Sequence, residues 1–171
     1  MKLYTTLRMM AEFSHRHSEL NNPRLERLIN SLSVDWSADE LIDLVSILEF
    51  SGVNNCLWAL RTIFNKKALC HRIIIKFKLA LAKKHLPNYE KNYPKNTGPR
   101  ECLDLIQRWI INPGEISDKN LINAAKKDAA FAAGVAFDVV YIDEAIYRAD
   151  VVDVSYQDWQ KQKLKECLEG L

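Results

Sequence analysis

His85-Leu86-Pro87-Asn88-Tyr89-Glu90-Lys91-Asn92-Tyr93-Pro94-Lys95-Asn96-Thr97-Gly98-Pro99-Arg100, running on to Trp109, separates two segments with helical periodicity. Its three prolines and one glycine set where helices stop and start. Pro87 is expected to end the helix before it, because proline has no N–H to donate and its ring crowds the preceding turn. Pro94 stops whatever turn Tyr89–Tyr93 makes. Gly98 restarts a helix with Pro99 at its first position, where a missing N–H costs nothing. Pro87, Tyr89, Glu90, Tyr93, Pro94, Pro99, Arg100 and Trp109 therefore read as a rigid corner. Arg100 lies in the first turn of its helix, where a cation opposes the helix dipole. Glu90 or Glu101 is the expected compensating carboxylate, and a contact that holds the corner is weighed ahead of one that reaches a partner. Tyr89, Tyr93 and Trp109 read as packing before they read as a ligand cage.

Working upstream, Leu69, Ile73, Phe77 and Leu81 recur every fourth residue and make Asn65–Lys84 a helix. The β-branched run Ile73-Ile74-Ile75 favours a strand, but the flanking period and the length select the helix. Before it, Val53–Phe64 turns Leu57, Leu60, Ile63 and Phe64 inward, with Trp58 half-buried beside that stripe. Ser37-Ala38-Asp39-Glu40 reads as a capping box for a helix that buries Leu41, Leu44, Val45 and Leu48, and Ser51-Gly52 ends it. Leu3–Phe13 is expected to be helical, and a short helix follows Asn22-Pro23 with Leu25, Leu28, Ile29 and Leu32 on one face.

Downstream, Pro99–Ile111 turns Leu103, Ile106 and Ile110 inward, and Asn112-Pro113-Gly114 is a turn. Ser117-Asp118 opens a helix rich in small residues, Ala124–Ala136, whose neighbours can approach closely. A break near Asp150–Ser155 precedes a last helix carrying Tyr156, Trp159, Leu164, Cys167 and Leu168. The expected architecture is all-α: a single-domain multi-helix bundle or short helical stack around the small-residue helix. It comprises N-terminal helices over 1–52, a core over 53–150 and a C-terminal helix over 151–171.

The Leu86-Pro87, Tyr89-Glu90 and Tyr93-Pro94 run, with Pro99-Arg100 and Trp109, resembles the signature of a family of all-helical bacterial immunity proteins. This is the fifth numbered class of polymorphic-toxin immunity proteins, with its phage-encoded relatives. Asn55-Cys56-Leu57-Trp58-Ala59-Leu60-Arg61 is similar to that family's Trp-containing helix, and Ala124–Ala136 to its small-residue helices. The likeness extends over Val53–Asp150, with Gln107 where the family often has Arg and Val139–Ile146 in place of alanine repeats. It implies a protein that binds another protein and carries no enzyme activity, in a bacterial or phage-infected cell.

The chain has 171 residues and a net charge of +2, enough length for one core and too little charge to name a partner. No phosphate loop, nucleophile elbow or zincin motif occurs, so no catalytic, cofactor or metal residue is expected. Cys56, Cys70, Cys102 and Cys167 have no metal-ligand spacing and read as reduced core thiols. His15 and His17, and Cys70 and His71, are too close in sequence to share a helix face. No apolar run reaches the length of a membrane span and no signal peptide is evident, so a cytoplasmic, membrane-free setting is expected.

Lys66, Lys67, Arg72, Lys76, Lys78, Lys83 and Lys84 carry one sign with no acid between them, while Asp138, Asp143, Glu144 and Asp150 make the later chain acidic. A solvated helix face explains the basic run most simply. The functional readings are an acidic protein partner or a nucleic-acid backbone, the second less favoured because no aromatic platform is interleaved. The two patches could also pair in a homodimer. The expected function is a non-catalytic immunity-like or inhibitory protein that occludes a partner, a toxin or a host or defence protein. A basic helical nucleic-acid binder is the alternative.

Overall fold

The computed structural model describes residues 2–16, 37–112 and 154–170, together with 26, 28, 29 and 114. They are mostly helical, with one small two-stranded ribbon. Two compact units are distinguished, Met1–Ile73 with Asp153–Leu171, and Ile74–Val152.

The first unit opens on strand β1 (Tyr4–Thr5) and helix α1 (Leu7–Arg16). The chain from Leu3 to Thr5 is extended rather than helical. Its strand pairs antiparallel with β2 (Ile42–Asp43), Tyr4 opposite Asp43 and Thr5 opposite Ile42. The two-residue period of the ribbon buries Thr5 and Ile42 and leaves Tyr4 exposed. Thr6 then caps α1, its Oγ1 accepting the Met9 N–H at 3.1 Å. Where the expected second helix is described, residues 26, 28 and 29 are helical and Leu28 is buried.

Ser37–Glu40 forms a turn, not a helix start, with the Glu40 N–H donating to the Ser37 carbonyl at 3.1 Å. The ribbon intervenes, and helix α2 (Leu44–Arg61) begins only after it. Asp43 is the cap, Oδ1 accepting the Val45 N–H at 3.4 Å. The later start moves the buried set to Leu44, Ile47 and Leu48 and leaves Leu41 63% exposed.

Gly52 divides α2 into two helical stretches that meet at a kink, in agreement with the break expected at Ser51-Gly52. Its φ of 78° and ψ of 179° lie where a side chain is strained and glycine is not. The kink reorients the second half of the helix, so its inward stripe does not extend the first. Trp58, expected at half burial, is fully buried, while Leu57 is only half-buried and Phe64 is exposed. The Phe13 ring stands edge-on to Trp58 with centroids 6.4 Å apart, a favoured aromatic geometry.

Thr62 closes α2. Its Oγ1 donates to the Ala59 carbonyl at 2.7 Å. A hydroxyl has one proton, so Thr62 Oγ1 accepts from Thr5 Oγ1, also at 2.7 Å. That buried relay ties β1 to the end of α2. The last helix, which we label α5 (Val154–Glu169), packs on α2 and buries Leu164 and Leu168. Glu49 on α2 is held by Lys161 at 2.7 Å and Lys165 at 3.1 Å.

A 3-10 turn at Phe64–Lys66 leads into helix α3 (Lys67–Asn92), which runs from one unit into the other. Ile73, Ile74 and Ile75 are helical. Pro87 lies inside α3 and does not terminate it. An interior proline costs about 3 kcal/mol. Its neighbours Leu86 and Tyr89 offset that cost by packing, with Ala82, against Leu103 and Ile106.

The latter two belong to helix α4 (Gly98–Ile111), in which Pro99 is the second residue, one place later than expected. Glu90 meets Arg100, Leu86 packs with Leu103, and Lys83 donates to Gln107. The second half of α3 and α4 therefore form an antiparallel helical hairpin. The small-residue segment Ala124–Ala136 and the acidic positions Asp138, Asp143, Glu144 and Asp150 lie outside the described residues.

Candidate functional site

The corner of the hairpin is a hydrogen-bonded scaffold. Arg100 grips Glu90 through two bonds, Nε to Oε1 at 2.8 Å and Nη2 to Oε2 at 2.6 Å. Of the two nearby carboxylates, Glu90 is thus the one engaged, and its hydrogen bond, then its charge, raise the Arg100 pKa. Glu101 instead accepts from the Thr97 hydroxyl at 2.8 Å. Asn96 uses its whole amide: Nδ2 donates to the Tyr89 hydroxyl at 3.0 Å and Oδ1 accepts the Gly98 N–H at 3.1 Å. The Tyr89 and Tyr93 rings lie 4.8 Å apart. Pro99 is buried and Trp109 half-buried, whereas Pro87 and Pro94 are exposed. Tyr93 is 57% exposed and is not the buried packing residue the sequence suggested. Pro94 follows it in the turn, but the ring rides on Tyr89 and is exposed.

The basic run does not form one face. Lys66 sits in the 3-10 turn, and the other six cations lie along α3. At 3.6 residues per turn, Arg72, Lys76 and Lys83 share one side, Lys67 and Lys78 another, and Lys84 neither. Lys76 and Lys83 are the two that line a groove together. With Leu79 and Ala80 they line a shallow open groove of about 320 Å³, whose other wall is Gln107, Ile110 and Ile111 on α4.

This groove follows from helix geometry. Residues 76, 79, 80 and 83 recur at the spacing of one helix face, as do 107, 110 and 111 on the antiparallel neighbour. Leu79 and Ile110 provide the apolar floor, and Ala80 gives it depth because a methyl group leaves the wall open. Ile111 is 70% exposed. Lys83 is tethered to Gln107. Lys76 is half-buried yet makes no hydrogen bond or ion pair among the described residues. Among the described residues no carboxylate lines the groove. A surface of this kind can bind an apolar side chain and an anion side by side, and its described lining contains no nucleophile–base pair.

Sequence reasoning singled out Lys76 and Lys83 but missed Leu79, Ala80, Gln107, Ile110 and Ile111. One signal was available. Ile110 and Ile111 are adjacent, so a helix that buries one must turn the other about 100° away.

Elsewhere, His15 is exposed on α1, and Cys70 is buried while its neighbour His71 is exposed. Burial, and then the Asp43 charge, push the Cys56 thiol pKa far up, and its Sγ donates to the Leu44 carbonyl at 3.4 Å. Among the described residues no group of three or more His, Cys, Asp and Glu side chains gathers to hold a metal ion. No described helix is long and apolar enough to cross a membrane. Comparison of the chain with protein-family models, with curated proteins and with solved structures finds no match.

Proposed function

We propose that this chain is a non-catalytic protein-binding module of the immunity-like or inhibitory kind, neutralising a partner protein by covering its working surface in the cytoplasm. The observation that carries the reading is the α3–α4 groove. It joins an aliphatic floor to a half-buried lysine with no counter-ion among the described residues, on a hairpin braced by the Arg100–Glu90 corner. Interface cores are apolar and rimmed by polar groups, and this groove has both parts. A pre-organised hairpin also loses little entropy on binding. The likeness of Leu86–Trp109 to bacterial immunity proteins points the same way. The partner is then a toxin or, for a phage-encoded chain, a host or defence protein.

The experiment is co-purification of the full chain from bacterial lysate, followed by addition of pure chain to each captured protein while that protein's activity is measured. The reading predicts one protein whose activity is lost at about one chain per molecule. Capture without inhibition contradicts it. So does tight duplex DNA or RNA binding at physiological salt that Lys76→Glu and Lys83→Glu abolish, which would make the chain a basic nucleic-acid binder.

A further inference from the structure

The α3–α4 groove has a length, a chemistry and a charge that together specify its occupant. From Lys76 to Lys83 the α3 wall rises about 10 Å, close to two helical turns. Both walls present helix ridges, and the valley between two antiparallel helices is the shape that takes the ridge of a third. Ala80, whose side chain is a single methyl group, lines the groove together with Leu79, Ile110 and Ile111. The rim is basic on the α3 side and has no acidic residue among the described ones. Lys76 is the informative member, since it is half-buried and pairs with no acid among the described residues. A cation on the rim of an apolar groove is complemented by a carboxylate brought to it.

We infer that the groove formed by Lys76, Leu79, Ala80 and Lys83 with Ile110 and Ile111 receives an acidic amphipathic helix of the partner protein. The helix lays an aliphatic stripe on Leu79, Ile110 and Ile111 and sets Glu or Asp against Lys76 and Lys83. Binding of this kind reads apolar anchors at one-turn spacing. A nucleic-acid strand fits less well: the floor is aliphatic, and none of the described lining residues offers an aromatic ring on which a base could stack. The inference rests on the protein-binding reading above and adds the chemistry of the partner's surface.

The test uses the full chain and a labelled synthetic peptide of about 18 residues, five helical turns, with leucines on one face and glutamates flanking them. Three further probes accompany it: the same peptide with lysines in place of glutamates, the acidic peptide broken by a central proline, and a single-stranded DNA oligonucleotide. Fluorescence anisotropy is measured on the native chain, Ile111→Asp, Lys76→Glu and, as a control outside the groove, Lys95→Glu. Melting temperatures are taken on all four chains.

The acidic helical peptide is expected to bind best. Ile111→Asp and Lys76→Glu should each weaken it about tenfold or more, as removal of an anchor does, while Lys95→Glu does not and all four chains melt alike. Equal binding of the lysine peptide, tighter binding of the oligonucleotide, or affinity untouched by Ile111→Asp overturns the inference. If no peptide binds and Ile111→Asp lowers the melting temperature, the chain fills its own groove and the inference is wrong. If the native chain self-associates and Ile111→Asp abolishes that, the occupant is a second copy and the inference is again wrong. A partner captured equally by the groove variants removes this inference and leaves the protein-binding reading standing. Groove-dependent peptide binding with no inhibited protein does the opposite.

Discussion

Gly52 shows how one residue redirects the reading of those after it. Its positive φ is a conformation that side chains rarely adopt, and nothing lies within 4 Å of where a Cβ would stand. The cost of a side chain there is therefore backbone strain alone, about 1–3 kcal/mol. Gly52→Ala should destabilise the chain by that amount in urea without a change of slope, and an unchanged midpoint would mean the kink is not a property of the glycine. The dipeptide Ser51-Gly52 announced a break and Val53–Phe64 a helix after it, but not the angle at which the second stretch leaves the first. The burial of Trp58 was illegible for the same reason, because its place on the inward face depends on the angle of the kink. Tyr93 was misread differently: aromatic character and flanking prolines suggest packing, but only tertiary contacts decide which of two stacked tyrosines is covered.

At the scale of elements, the hairpin and the ribbon give opposite lessons. The period of Leu69, Ile73, Phe77 and Leu81 marked α3 correctly, and Leu103 and Ile110 marked the buried face of α4. Pro87 did not stop α3 because a local rule was outweighed by packing on both sides of it. Replacing it restores a helix donor and relieves its clash, at some loss of unfolded-state restriction. Pro87→Ala is therefore expected to stabilise the chain by about 2 kcal/mol, raising the melting temperature, and a fall would show that the ring is required by the hairpin. The ribbon was not legible, since two-residue strands have too little alternation to detect and their partners are separated by α1 and the chain after it.

A second element-scale expectation concerns the seam between α2 and α5. Hydrogen bonds from Lys161 and then Lys165 hold the Glu49 carboxyl below its ordinary 4.5, against the opposing effect of burial. Its folded pKa is depressed, so its contribution is fully present above the ordinary value and is lost as pH falls through the depressed one. Between neutral pH and pH about 3 the native chain should lose more melting temperature than Glu49→Gln. Equal losses would show that the ion pairs are too well solvated to matter, as exposed pairs often are.

For the whole molecule, an all-helical fold was legible from periodicity and helix punctuation, but the groove was not. A helix's own sequence says which residues leave its buried stripe, and not which second helix stands beside them. Lys76 and Lys83 therefore looked like two cations in a run of seven. Their distinction comes from the antiparallel pairing that brings Gln107, Ile110 and Ile111 alongside. The corner residues, by contrast, could be assembled from the sequence because Glu90 and Arg100 are joined by one short turn. The central claim is that the groove meets the partner while the corner supports it. Hydrogen exchange of the full chain, alone and with its captured partner, tests that division directly. Protection gained over 76–83 and 107–111, with 89–100 unchanged, is the predicted result; protection gained over 89–100 with none along the groove would contradict it.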